Sequence, residues 1–144
     1  MSLPEPEPGL VIPYAYLWRH EHRKGQEEGR KVRPSVVVLA VQTPNGGAVR
    51  VTVAAITHTP PAGTGEAIEL PPRVKRALGL DADRSWIVLD EVNQFAWPGY
   101  DIRPVPGTSD RWAYGFIPPK LYDAVIARIL ELAAERRMAE IRRD

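Results

Sequence analysis

The 144-residue sequence has no cysteine, which excludes a disulfide framework and any thiolate metal site. It also has no run approaching 18 consecutive apolar residues, so we expect no membrane span. The chain also lacks a large excess of positive or negative charge, because it has 19 basic and 18 acidic residues and a net charge of +1. A balanced chain is not drawn to nucleic acid as a whole, so any such binding needs a local patch. Of three histidines, only His20 and His22 have a ligand-like spacing, and we predict neither a metal nor a cofactor.

Proline is abundant, with 15 residues in the chain, and it indicates strand edges and turns because a proline nitrogen cannot donate to a sheet ladder. The acidic, proline-rich start of the chain is unlike a signal peptide, and we expect a cytoplasmic protein. The length suits one domain. We predict an extended tail over residues 1–8 and a single domain over residues 9–141.

Hydrophobic patterning predicts a mainly β protein. The predicted strands cover residues 10–18, 35–41, 48–57, 66–70, 85–89 and 95–102. Asn45-Gly46 predicts a hairpin turn, since this pair supplies positive φ angles. A short helix is expected over 71–79 and a long, half-apolar C-terminal α-helix over about 119–135, with a charged loop over 19–33 and a frayed, solvated end carrying Arg136, Arg137, Arg142 and Arg143. These elements predict a small bent barrel with the helix packed on one face.

Three segments occur in an order that resembles one protein family. They are Gly29-Arg30-Lys31-Val32-Arg33-Pro34, then Val53-Ala54-Ala55-Ile56-Thr57, then Trp86-Ile87-Val88-Leu89-Asp90-Glu91-Val92. Together they resemble the MazF/PemK (Kid-like) family of toxin endoribonucleases, over roughly residues 9–133. The resemblance implies an SH3-like barrel of the CcdB/MazF type, a homodimer, and metal-independent cleavage of single-stranded RNA such as mRNA. It also implies a cognate antitoxin protein, with DNA contacted only through that antitoxin.

In this family the arginine of the Arg-Pro step and the threonine that ends the next strand are the functional pair, which here implies Arg33 and Thr57 as catalytic residues. Attack of a ribose 2′-hydroxyl on the adjacent phosphate builds negative charge on the phosphorane oxygens. A fixed guanidinium and a hydroxyl can stabilise and orient those oxygens without a metal. Thr57 is in phase with Val49, Val51 and Val53, so it must emerge where the strand ends or bends.

Further candidates are assigned to substrate binding. The charged segment contributes His20, Glu28 and Lys31, and the end of the third strand contributes His58. Both histidines could also transfer protons near neutral pH. Trp97 and Tyr100 flank a Pro-Gly turn and are expected to stack on bases, whereas Trp18, Trp86 and Trp112 are assigned to the core. Asp90 and Glu91 are not expected to act as an acid–base pair, because adjacent strand positions face opposite sides.

Two alternatives keep the fold without the nuclease. Related CcdB-like barrels bind DNA gyrase, so a protein-targeting toxin is one, and a catalytically inactive RNA-binding barrel is the other. The continuous apolar run from Val36 to Val41 is itself too hydrophobic for a half-exposed strand, and it favours a homodimer.

Overall fold

A computed structural model describes residues 3–25, 31–63 and 65–144. Its strands are β1 (Leu10–Ala15), β2 (Val32–Gln42), β3 (Val49–Thr57), β4 (Ala67–Glu69), β5 (Trp86–Val88), β6 (Glu91–Ala96), β7 (Gly115–Phe116) and β8 (Ala139–Arg142). Its helices are α1 (Arg19–Arg23), α2 (Pro72–Leu78) and α3 (Pro119–Ala134). The protein is therefore mainly β, with one long helix near the C-terminal end. Within the described ranges, none of the helices has the length and apolar character needed to cross a membrane.

The strands form one strongly curled, largely antiparallel sheet around β3. Strand β2 pairs antiparallel with β1 and β3, and β7 pairs with β1. Residues 50–53 of β3 pair with β6, while Ile56 and Thr57 at its end pair with β5, which in turn pairs with β4. The hairpin between β2 and β3 closes through Asn45 and Gly46 at φ of 63° and 71°, which confirms the predicted turn.

The sheet buries apolar side chains on both of its faces. On one side Val36 and Val38 pack with residues of α2 and α3, including Val125 and Leu132. On the other side Val37 packs with Ile12, Tyr14 and Phe95, among others. The run on β2 that favoured a dimer is thus covered within the protomer as far as Val38. Only its end remains open, where Leu39 and Val41 are each about half exposed.

The structure differs from the sequence prediction in three local places. The expected charged loop at 19–33 begins with helix α1, whose backbone is capped by Glu21: its carboxylate accepts the Trp18 N–H at 3.1 Å. The strand expected at 95–102 lies earlier in the chain: β6 begins at Glu91 and ends at Ala96. The chain then turns through a cis peptide bond at Trp97-Pro98. Strand β7 was not predicted, since two residues carry no periodicity.

The expected frayed end is also wrong. Residues 139–142 form β8, which pairs parallel with β6. Beyond it, the Arg143 side chain is 3% exposed and pairs with Asp101 at 3.0 Å. Arg137 also bonds to Glu66 at 3.2 Å, so two of the four arginines hold the chain end to the sheet.

Candidate functional site

Arg33 and Thr57 lie across from each other at one end of the β2–β3 pair. The two strands align Ser35 with Ala55 and Val37 with Val53, and continuing this register sets Arg33 opposite Thr57. Both side chains line one cleft of about 480 Å³. Its other walls come from α1 and the residue before it, the loop after β3, and the segments around β4 and β5: Trp18, His20, Glu21, Thr59, Pro60, Pro61, Ala62, Glu66, Ala67, Val88 and Asp90.

The Arg33 guanidinium is half-buried and lies over an aromatic ring. Its Cζ lies 5.2 Å from the centroid of the Trp18 ring. Its Nε is buried and has no hydrogen-bond partner among the described residues. Burial lowers the pKa of Arg33, and the charge of Glu21 partly offsets that effect. A buried cationic donor without a partner is a ready site for an anionic oxygen.

Thr57 ends β3 and is 8% exposed. Its hydroxyl accepts the backbone N–H of Thr59 at 3.2 Å, which orients the oxygen and leaves its own proton to donate. The alternation with Val51 and Val53 therefore ends, as the sequence analysis required, at a cleft rather than in the core.

Asp90 lines the cleft, whereas its neighbour Glu91 does not. Burial and the nearby charge of Glu66 raise the pKa of Asp90, while Arg137 and Arg19 act in the opposite direction. Glu91 has a buried Oε2 atom with no hydrogen-bond partner in the described chain, and burial raises its pKa as well. The two adjacent carboxylates thus lie in different environments, since Asp90 lines the cleft and Glu91 does not. Asp90 is therefore a candidate for proton transfer by itself, without Glu91.

The predicted substrate-binding residues are distributed over three places. His20 lies in the cleft. Lys31 and His58 line a smaller pocket of about 60 Å³ that shares Arg33 with the cleft. Tyr100 lies in a separate groove with Trp112, and Trp97 packs on Phe95 with ring centroids 6.1 Å apart. Glu28 lies outside the described residues.

Among the described residues, the lining of the cleft is not predominantly basic. Its lining holds the carboxylates of Glu21, Glu66 and Asp90 against Arg33 and His20. Glu66 is offset by Arg137 at 3.2 Å. Exposed cations lie instead on α1 and at Lys31.

A second polar cluster lies beside the small pocket. Single ligand atoms of His58, Asp81 and Asp83 lie within 4.8 Å of one another, an arrangement the sequence did not indicate. The ammonium of Lys75, only 5% exposed at its side chain, lies 2.6 Å from Asp81 Oδ1 and also donates to Ser85 Oγ at 2.8 Å. One cation therefore already offsets part of the negative charge of this cluster.

Two residues of the cleft were not singled out from the sequence. Trp18 was assigned to the core because aromatic residues in a strand pattern usually are, yet it lines the cleft under Arg33. Asp90 was weighed only together with Glu91, although its place directly after a buried strand was a usable signal. Comparisons with family models, with curated proteins and with solved structures found no match to the chain.

Proposed function

We propose that this protein is a metal-independent endoribonuclease with a CcdB/MazF-type, SH3-like barrel, and that it acts as the toxin of a toxin–antitoxin system. The observation that supports this best is the meeting of Arg33 and Thr57 in one cleft. The sequence resemblance independently implies the same two residues. Their shared cleft contains a buried guanidinium nitrogen that has no hydrogen-bond partner in the described part of the chain, which fits a phosphoryl oxygen.

The proposed reaction uses groups that line this cleft. The Asp90 carboxylate accepts the proton of a ribose 2′-hydroxyl, whose oxygen attacks the adjacent phosphorus atom. Arg33 and Thr57 donate hydrogen bonds to the phosphorane oxygens as negative charge builds there. The bond from phosphorus to the 5′-oxygen then breaks, and His20 protonates that oxygen. The products are a 2′,3′-cyclic phosphate and a 5′-hydroxyl, so the step needs neither water nor a metal.

Because the lining of the cleft is acidic, we assign different roles to the cleft and to its rim, which is formed by Arg19, Arg23 and Lys31. RNA phosphates that flank the scissile one would be held by exposed Arg19 and Arg23 of α1 and by Lys31, rather than inside the cleft. The cognate antitoxin is proposed to dock an acidic segment on the same rim. Any contact with DNA would be made through that antitoxin.

The proposal includes a cytoplasmic homodimer. Leu39 and Val41 stand two residues apart on β2 and are 48% and 49% exposed, so they form a small apolar surface that a second copy of the chain would cover. Light scattering at tens of micromolar should give twice the protomer mass. A protomer mass under those conditions would contradict this part of the proposal.

The decisive experiment incubates the purified protein with a long single-stranded RNA in EDTA. We expect fragments that carry 5′-hydroxyl and 2′,3′-cyclic phosphate ends, and the same fragments at a much lower rate with the Arg33→Ala variant. Intact RNA together with altered DNA supercoiling by gyrase would instead support a gyrase-binding toxin. Intact RNA that is bound but not cut would support an inactive RNA-binding barrel.

A further inference from the structure

Trp18 is held in place from two directions. Its ring meets the ring of Tyr16 edge-on, with centroids 4.7 Å apart and planes at 60°, and Tyr16 is 1% exposed. Its backbone N–H donates to the Glu21 carboxylate at the start of α1. The contact with the buried Tyr16 ring restricts the motion of the indole.

Arg33 lies on this surface and depends on it for its orientation. A free arginine side chain samples many rotamers, and fixing it costs up to about 2 kcal/mol. Here the guanidinium lies over the indole in a cation–π contact, with its Cζ 5.2 Å from the Trp18 centroid. A guanidinium donates hydrogen bonds only within its own plane, and the indole face beneath it limits the directions in which its N–H groups can point.

The buried Nε of Arg33 adds a second reason for this dependence. It has no hydrogen-bond partner within the described residues, and the cleft opens beside it. An unpaired buried donor is costly, and it is retained only where the surroundings hold it in place. Among the residues of the cleft, Trp18 is the one whose ring lies against the guanidinium face.

We infer that Trp18 is a positioning residue, whose indole fixes the plane of the Arg33 guanidinium so that its N–H edge meets the scissile phosphate. This inference rests on the proposed ribonuclease function. It differs from a role for Trp18 as a stacking platform for an RNA base. A positioning residue acts only through Arg33, whereas a base platform stabilises RNA whether or not Arg33 is present.

A double-mutant cycle separates the two roles. Single-turnover RNA cleavage should be measured for the wild type, Trp18→Ala, Arg33→Ala and the double variant. We expect Trp18→Ala to lower the maximal rate by about tenfold to a hundredfold, the usual effect of misplacing a catalytic group, with little change in the RNA concentration at half-maximal rate. In the Arg33→Ala background the same substitution should have no further effect. An equal loss in both backgrounds, or a loss confined to RNA affinity, would overturn the inference.

Two further variants control for folding and for stacked pairs in general. Trp18→Phe keeps an aromatic face and should stay within about threefold of the wild-type rate. Arg84 stacks on Trp86 at 5.0 Å outside the cleft, so Arg84→Ala removes a similar pair and should leave cleavage unchanged. A rate in Trp18→Phe as low as that in Trp18→Ala, at an unchanged melting temperature, would count against a stacking role.

A spectroscopic measurement keeps this inference separate from the proposed function. The indole ring current should shift the Arg33 Nε–H resonance upfield in a nitrogen-15 spectrum, with assignment by its loss in Arg33→Lys. The shift should persist in Trp18→Phe and vanish in Trp18→Ala. A wild-type protein that shows this shift but cuts no RNA would refute the ribonuclease proposal while leaving the stacked geometry supported. A resonance that does not move in Trp18→Ala would refute the positioning inference itself.

Discussion

The guanidinium of Arg143 lies 3.0 Å from the carboxylate of Asp101, and it is one of the best-buried charges of the described chain, with 3% of its side chain exposed. The same group donates to the backbone carbonyl of Ala15 at 2.8 Å and to Asn93 Oδ1 at 3.2 Å, and it lies over the Tyr14 ring. Asn93 in turn accepts the N–H of Leu17 and donates to its carbonyl, both at 2.9 Å. One arginine thus joins the end of the chain to β1 and β6.

Removing Arg143 should destabilise the whole domain. Arg143→Ala removes the cation beside the Asp101 carboxylate and the hydrogen bonds to Ala15 and Asn93, and breaking such a buried pair costs about 3–5 kcal/mol. Urea unfolding measures the effect. Arg142→Ala is the matched control, because its side chain is 71% exposed, and it should change the free energy of unfolding by less than about 0.5 kcal/mol. Similar losses for both variants would contradict the anchoring role of Arg143.

Substitution of the proposed catalytic pair should reduce cleavage without unfolding the protein. Arg33→Ala should lower the rate by about two to three orders of magnitude, the typical effect of removing one preorganised donor. Arg33→Lys should restore little, because an ammonium lacks the planar fork. Thr57→Val keeps the side-chain shape, and we expect a smaller loss. Melting temperature and RNA cleavage are measured together, and a destabilised but fully active Arg33→Ala would refute the assignment.

The rate should rise with pH as Asp90 loses its proton. Burial and the Glu66 charge raise the pKa of Asp90, so the rising limb of the pH–rate profile should lie above the ordinary carboxyl range near about 4. Asp90→Asn should lower the rate by about two orders of magnitude or more and abolish this limb. Glu66→Gln removes the neighbouring charge, which lowers the Asp90 pKa and moves the limb to lower pH. An unchanged limb in Asp90→Asn would assign it to another group.

Glu91→Gln should stabilise the protein at neutral pH. The buried carboxylate has a pKa raised by burial, so its contribution to stability is present below the unfolded-state pKa of about 4.3 and is lost as pH rises through the folded-state value. A neutral amide avoids that loss, and the melting-temperature gain should disappear on acidification. Glu140→Gln, at an exposed position, is the control. A gain of equal size at every pH would point to a cause other than ionisation.

Cleavage should survive EDTA unchanged. The His58, Asp81 and Asp83 cluster already contacts the Lys75 ammonium, which repels a divalent ion. Asp83→Asn should therefore cut RNA at the wild-type rate with or without EDTA. Activity that EDTA removes and a divalent ion restores would overturn the mechanism.

The sequence predicted the parts of the fold that depend on local pattern. The β2–β3 hairpin follows from alternation around Asn45-Gly46, and α3 follows from its apolar stripe. Strand β8 could not be predicted, because its charged residues form a strand only through parallel pairing with β6. Such pairing joins segments about fifty residues apart and leaves no local periodicity.

The candidate site was predictable to a similar extent. Arg33 and Thr57 came from a motif, and the register of two adjacent strands brings them together. Trp97 and Tyr100 do not line the same cleft, because they follow β6 at the end where Ala96 pairs with Arg50, away from Thr57. Their distance from Arg33 depends on how the sheet curls, which no linear pattern encodes.

Strand β3 bonds to β2 on one side and to β6 and then β5 on the other, so its backbone cannot separate without the loss of three strand pairings. Its amide hydrogens should therefore exchange with deuterated solvent only through global unfolding, whereas those of α1 should exchange through local opening of a single turn. Thr57 is carried by the first of these segments and His20 by the second. The wall of the cleft that carries Thr57 should thus stay folded for as long as the native state lasts. The wall that carries His20 should open and reclose many times within that lifetime.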